Sequence, residues 1–217
     1  MFVPIFACAA LFFSCVSLSP LRREGQNAVA AKELAFPSVV IADAGIKTAS
    51  ALEAFFMAEV PDADVLKVRR LAALYVIEAS FEGINSDIAF AQMCLETGFL
   101  RFGGLITEDM YNFCGLGAID ENNRGCRFNS EQEGVRAHIQ HLKAYGSTED
   151  LRMPLADPRY RWVQPKGKAP DVYALSGTWA SDRHFKAHGA LLKPVKKTLS
   201  ESACRKTAFH LKSQAYC

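Results

Sequence analysis

Apolar positions recur at helical spacing through the middle of the chain. Between residues 65 and 81, Leu71, Leu74, Tyr75, Ile77 and Phe81 follow one another along one helix, which Gly83 and Asn85 end. A shorter helix is predicted before it. Ser50 and Glu53 have the spacing of a capping box, and the pattern runs to about Ala58 before Pro61-Asp62-Ala63-Asp64 breaks it. Ser86 can cap the next helix, with Asp87 in its first turn favouring the helix dipole. That helix reads SDIAFAQMCLETGFL, aligns Ile88, Ala91 and Leu95 as an apolar stripe, and takes Gly98 as its C-terminal cap. The Gly-rich stretch 115–128, with its Asn122-Asn123-Arg124-Gly125 turn, reads as a small β-hairpin. Ser130 and Glu133 open a helix to about Ala144. Residues 146–170 read as connection. Helical segments follow at 171–176 and 181–193, the second capped by Asp182. Several helices around one hairpin, with no alternating β/α pattern, predict a mainly α fold of the α+β kind.

The two ends differ from this middle. Residues 1–19 carry no charged side chain, but the apolar run is too short and too broken for a membrane span and reads as a signal peptide. Cys15 follows Leu11-Phe12-Phe13-Ser14, a run resembling a loose lipoprotein signal. Cys15 is therefore a candidate lipid anchor, and cleavage with free release is the alternative. Residues 20–47 read as a tether, 48–195 as the domain, and 196–217 as a basic tail whose Lys196-Lys197 and Arg205-Lys206 pairs are solvated surface.

Composition adds limits. Half of the 217 residues are apolar and 22% are charged, as in a globular domain. A net charge of +2 lacks the basic excess of a nucleic-acid binder. Seven cysteines matter because export leads to an oxidising compartment. Losing Cys8 with the signal and committing Cys15 to lipid leaves five. Cys114–Cys126 and Cys204–Cys217 are then the local pairings to test, with Cys94 a buried thiol. There is no C-x-x-C pair for a structural zinc.

Glu96 is the conspicuous candidate for chemistry. It lies one turn after Gln92 on the same helix face, at a helix end where the dipole disfavours a carboxylate. Burial among Phe99, Phe102, Tyr111 and Phe113 would raise its pKa toward that of a general acid. On spacing alone, a solvated surface glutamate is the competing reading. His138 and His141 stand at i, i+3 without an H-E-x-x-H pattern, so they read as packing or hydrogen-bonding groups, and no metal is expected.

Four ordered blocks carry a family resemblance. Ile88 to Gly98 resembles the A-Q-x-x-L-E-S/T-G motif of the peptidoglycan glucosaminidases, glycoside hydrolase family 73. Tyr111-Asn112-Phe113-Cys114-Gly115-Leu116 is similar to the N-N-x-F-G-I/L block. Phe128-Asn129-Ser130 through Gly134-Val135 and His138 matches the block entering a helix. Leu175 to Phe185 is similar to L-x-G-x-Y/W-A-S/T-D-P-x-Y. The resemblance spans about residues 66–193.

It implies a lysozyme-like fold: a helical body, a small β-hairpin lobe and a cleft between them. It also implies hydrolysis of the β-1,4 bond after N-acetylglucosamine in peptidoglycan, without cofactor; with the signal segment 1–19, the expectation is a monomer exported to the periplasm or cell envelope. Glu96 aligns with the family's general acid. The second carboxylate would be Asp120 or Glu121. The alternative is that both are turn residues and the substrate's acetamido group is the nucleophile. Gln92, Tyr111, Asn112, Phe113, Trp179 and Phe185 would contact substrate. For Asn112 the alternative is a turn role, and for Tyr111 and Trp179 it is core packing. Phe185 stands where relatives commonly carry Tyr. The rival functions are a lytic transglycosylase, an inactive glycan-binding module and a scaffold in an envelope assembly.

Overall fold

The computed structural model describes residues 38–179. The expected signal peptide with Cys15, most of the tether, the Asp182-capped helix, Phe185 and the tail with Cys204 and Cys217 lie outside these residues.

Helix α1 spans Ala49–Glu59, α2 Val65–Glu82, α3 Ser86–Glu96, α4 Glu131–Gly146 and α5 Val172–Leu175, with 3-10 turns at Glu108–Met110 and Tyr160–Trp162. The caps sit one or two residues from two of the expected places. Thr48, not Ser50, caps α1 by accepting from the Ala51 N–H at 3.2 Å. Asn85, not Ser86, caps α3, accepting from Asp87 and Ile88 at 3.0 and 3.3 Å. The reason is backbone conformation: Asn85 is extended, whereas Ser86 is already helical. Asp87 then does more than complement a dipole. Its buried carboxylate accepts from the N–H groups of Ile46 and Lys47, both at 3.2 Å, and pins the segment that leads into α1. Ser130 caps α4 as expected, accepting from Glu133 at 3.2 Å.

Helix α4 is buried along most of its length and packs against α2, while α2 also covers α1. Leu71, Tyr75, Phe56, Phe90, Met93, Ile139 and Leu142 are fully buried where these helices meet. Truncating such a side chain typically costs about 2–5 kcal/mol. Charged groups enter the same interface in matched sets. Lys143 is 0% exposed and bonds Glu82 at 2.9 Å. Glu82 also accepts from the backbone of Arg152 and Met153. Burial pushes its carboxyl up, but these N–H groups with Lys143 and Gln140 outweigh burial and hold it below the ordinary value. Gly134 lets the first turn of α4 lie against the Tyr111 carbonyl, since a Cβ there would fall 1.8 Å from that oxygen.

The expected hairpin is reduced to a loop. The described residues hold two isolated bridges, Asp120 with Asn123 and Val40 with Asp171. Gly115, Gly117 and Gly125 curl the backbone with φ of 68°, 77° and 117°. Asn112 supplies the partners a strand would have supplied. Its Nδ2 donates to the carbonyls of Leu116 and Cys126, both at 2.9 Å, and its Oδ1 accepts from the Leu116 N–H at 2.9 Å. Cys114 and Cys126 are free thiols within this loop, so the pairing expected between them is not made. The described residues are mainly helical with almost no strand, consistent with a lysozyme-like helical domain.

Candidate active site

The site begins where α3 stops. Thr97 donates its hydroxyl to the Met93 carbonyl at 2.8 Å and accepts from the Leu100 N–H at 2.9 Å. Gly98 follows with φ of 58°, and the Phe99 N–H returns to the Cys94 carbonyl at 2.6 Å. Phe99, Leu100 and Phe102 continue in the left-handed region, at 56°, 60° and 55°. Such residues cost about 1–2 kcal/mol each. Packing offsets part of that, because the Phe99 ring lies 5.4 Å from Phe56 and 6.2 Å from Phe55. The chain thus turns sharply away and leaves Glu96 as the last residue of the helix.

Two distant segments then enclose the Glu96 carboxylate. Gly115, held by the Asn112 loop, comes so near that a Cβ on it would lie 3.9 Å from Oε2. Trp179, just beyond α5, brings its indole N–H toward the carboxylate and lowers its pKa. Its ring is clamped by His141 at 5.0 Å, Tyr145 at 5.3 Å and His138 at 5.9 Å. The Tyr145 hydroxyl donates to the Thr178 carbonyl at 3.1 Å and holds the chain beside that ring. Burial raises the Glu96 carboxyl to about 7, against the smaller lowering effect of the Trp179 N–H. A carboxyl with that value is a proton donor and a proton acceptor at neutral pH.

A buried hydrogen-bond chain backs the site. The Tyr75 hydroxyl meets His138 Nδ1 at 2.8 Å, and His138 Nε2 meets Gln92 Oε1 at 3.1 Å. His141 Nδ1 meets Asp157 Oδ2 at 2.7 Å. Both histidines pack and hydrogen-bond, as their spacing implied.

The residues expected at the site separate into groups. Glu96, Gln92 and Trp179 come together. Tyr111 is half-buried with φ of 50° and packs between the two apolar clusters. Asn112 and Phe113 are buried, the first committed to loop backbone and the second to the core. Asp120 is exposed at its turn, where it accepts from Asn122 N, Asn123 N and Asn123 Nδ2 at 2.9, 2.9 and 3.1 Å. These donors, the Asn123 side chain first, hold its carboxyl below the ordinary value. Sequence reasoning passed over Tyr75, Tyr145, Gly115 and Asp157. Only the F-x-G spacing of the loop marked Gly115; the others carry no local signal.

Residues 72–190 match the family model for glucosaminidases, described as mannosyl-glycoprotein endo-beta-N-acetylglucosaminidase. That span is more than half the chain and contains Gln92, Glu96, Gly115, His138, His141 and Trp179. An uncharacterized protein of Borreliella burgdorferi is 41% identical over 141 residues, covering 65% of this chain and 66% of that protein, just under two thirds of its length. No solved structure matches the chain.

Proposed function

Because the chain belongs to the glucosaminidase family, we propose that it hydrolyses the β-1,4 bond after N-acetylglucosamine in bacterial peptidoglycan, with Glu96 as general acid. The observation that carries this reading is the Glu96 carboxyl, enclosed by Gly115 and Trp179 and raised by burial to about 7. A carboxyl of that kind can hand its proton to the glycosidic oxygen as positive charge grows on the anomeric carbon.

Asp120 is a poor second carboxylate, because it is exposed and its oxygen already accepts three N–H groups of its own turn. This favours substrate assistance. The acetamido carbonyl oxygen attacks the anomeric carbon while the bond to the leaving oxygen breaks and that oxygen takes the Glu96 proton. Water then opens the cyclic intermediate and returns a proton to the Glu96 carboxylate. In this reading the sugar lies between the helical body and the 112–128 loop. Trp179 and Tyr111 offer ring faces, with Phe185 a further contact, while Asn112 and Phe113 hold the loop. A peptidoglycan substrate requires export, so the signal segment 1–19, an envelope location and an anchor at Cys15 belong to the same proposal, as does a monomeric state. No helix among the described residues is long and apolar enough to cross a membrane.

The test is digestion of purified peptidoglycan by wild type and Glu96→Gln in parallel, with mass spectrometry of the fragments. Reducing-end N-acetylglucosamine from wild type alone is the expected result. Anhydro-muramic ends would move the protein to the transglycosylases, and binding without fragments would make it a glycan-binding module.

A further inference from the structure

Among the described residues, one buried side-chain polar atom has no hydrogen-bond partner: Nε2 of Gln92. Leaving a buried N–H unmade costs about 1–3 kcal/mol, and such an atom calls for an explanation. Gln92 is 6% exposed, and the amide orientation follows from its neighbours. His138 is fully buried, and burial lowers it to about 3, so its ring is neutral and carries one N–H. If that proton sat on Nδ1, the buried Tyr75 hydroxyl would lose its acceptor. Gln92 would also have to flip, which would orphan its oxygen instead. With Tyr75 donating to Nδ1 and Nε2–H donating to Gln92 Oε1, a single group is left over. The amide is therefore locked with its NH2 turned away from His138.

Gln92 lies one turn before Glu96, at the i, i+4 distance where helix side chains meet. Trp179 packs on His138 and also acts on Glu96, lowering its carboxyl. Contacts thus run from Gln92 through His138 and Trp179 to Glu96, helix spacing brings the two ends of this ring together, and Gln92 Nε2 is the unfilled donor in it. The atom has no access to solvent, so it does not await a sugar. We propose that Gln92 is a positioning residue for Glu96: when Glu96 gives up its proton, the new carboxylate turns to accept from Gln92 Nε2 as well as from Trp179. The role rests on Glu96 being the acid, and it replaces the substrate contact expected of Gln92 from its motif. A protonated carboxyl does not need the second donor, and a buried carboxylate does. A donor already in place spares the site reorganisation at the moment of proton transfer.

The titratable groups that face this ring are Tyr75 from α2, Cys114 from the loop, His138, His141 and Tyr145 from α4, and Asp157. Burial holds Tyr75, Cys114 and Tyr145 protonated and His138 neutral across the neutral range. His141 is bonded to Asp157.

The experiment is a carbon-13 carboxyl titration of the full chain, with the Glu96 signal assigned by its loss in Glu96→Gln. Removing the donor in Gln92→Met destabilises the carboxylate, so the Glu96 pKa rises by about one unit, a tenfold change in acid constant. An unmoved titration overturns the proposal. Nitrogen-15 spectra of wild-type His138 need no variant: the proton is expected on Nε2, and finding it on Nδ1 overturns the orientation. In kinetics, Gln92→Met lowers kcat and moves the basic limb upward with KM unchanged. A rise in KM alone would mark a substrate contact and overturn the positioning role. Both spectra are read without glycan, so a failed digestion would sink the enzyme reading and leave this test standing.

Discussion

Two acidic residues of the same stretch of chain meet opposite surroundings. Glu96 ends a buried helix, under the Gly115 loop and the Trp179 indole, and is raised to about 7. Asp120 sits on an exposed turn, where Asn122 and Asn123 supply N–H groups that lower it. Before folding the two are nearly equivalent acids, about half a unit apart. Desolvation without enough donors makes one a reservoir for a proton. Donors without desolvation make the other a permanent anion that shapes a turn. Glu82 completes the contrast, since its side chain is buried in the helix interface yet stays low because Lys143 and two backbone N–H groups serve it.

The comparison breaks most easily in activity. Glu96→Gln is expected to lower kcat by about 10²–10⁴-fold, the range for removing a general acid. Asp120→Asn should stay within about threefold on the same glycan-release assay. An equal loss from both would restore Asp120 as a second catalytic carboxylate. Next in size, Lys143→Met removes the partner of Glu82 and should cost about 3–5 kcal/mol in urea unfolding. A much smaller loss would mean that the backbone donors alone sustain the buried charge.

Stability against pH should carry the same contrast. The folded value of Glu96 lies above its unfolded value near ~4. Its protonated form therefore favours the fold at low pH, and stability falls as pH rises between ~4 and about 7. Glu96→Gln removes that slope and should be more stable than wild type at pH 8 by roughly 2–3 kcal/mol. Wild type and variant with parallel pH–stability curves would show that the site is better hydrated than its geometry implies. Smallest is Trp179→Phe, which keeps a ring but deletes the N–H that favours the carboxylate. The basic limb of the rate profile should then rise by about one unit. A downward move would assign the lowering to another group.

The helices were legible because their signals are local. The periodic run over α2, the Gly83 stop with φ of 72° and the Ser130 cap each depend on neighbours within one or two turns. The caps of α1 and α3 were misread by one or two residues, since several polar residues stood in a row and backbone conformation chose among them. The hairpin was misread for a longer-range reason. Asn112 bonds the Leu116 and Cys126 carbonyls and the Leu116 N–H from inside the loop, and no alternation of residues announces a side chain acting as a strand partner.

What the sequence determined by itself is the helical frame, the glycines that permit its turns, and the placing of Glu96 at a helix end after Gln92. What only the tertiary structure decided is which acid changes its chemistry. The pKa of a carboxyl depends on water excluded and donors brought from elsewhere. For Glu96 these come from Gly115 and Trp179, on two segments that reach the end of α3 only when the helices pack.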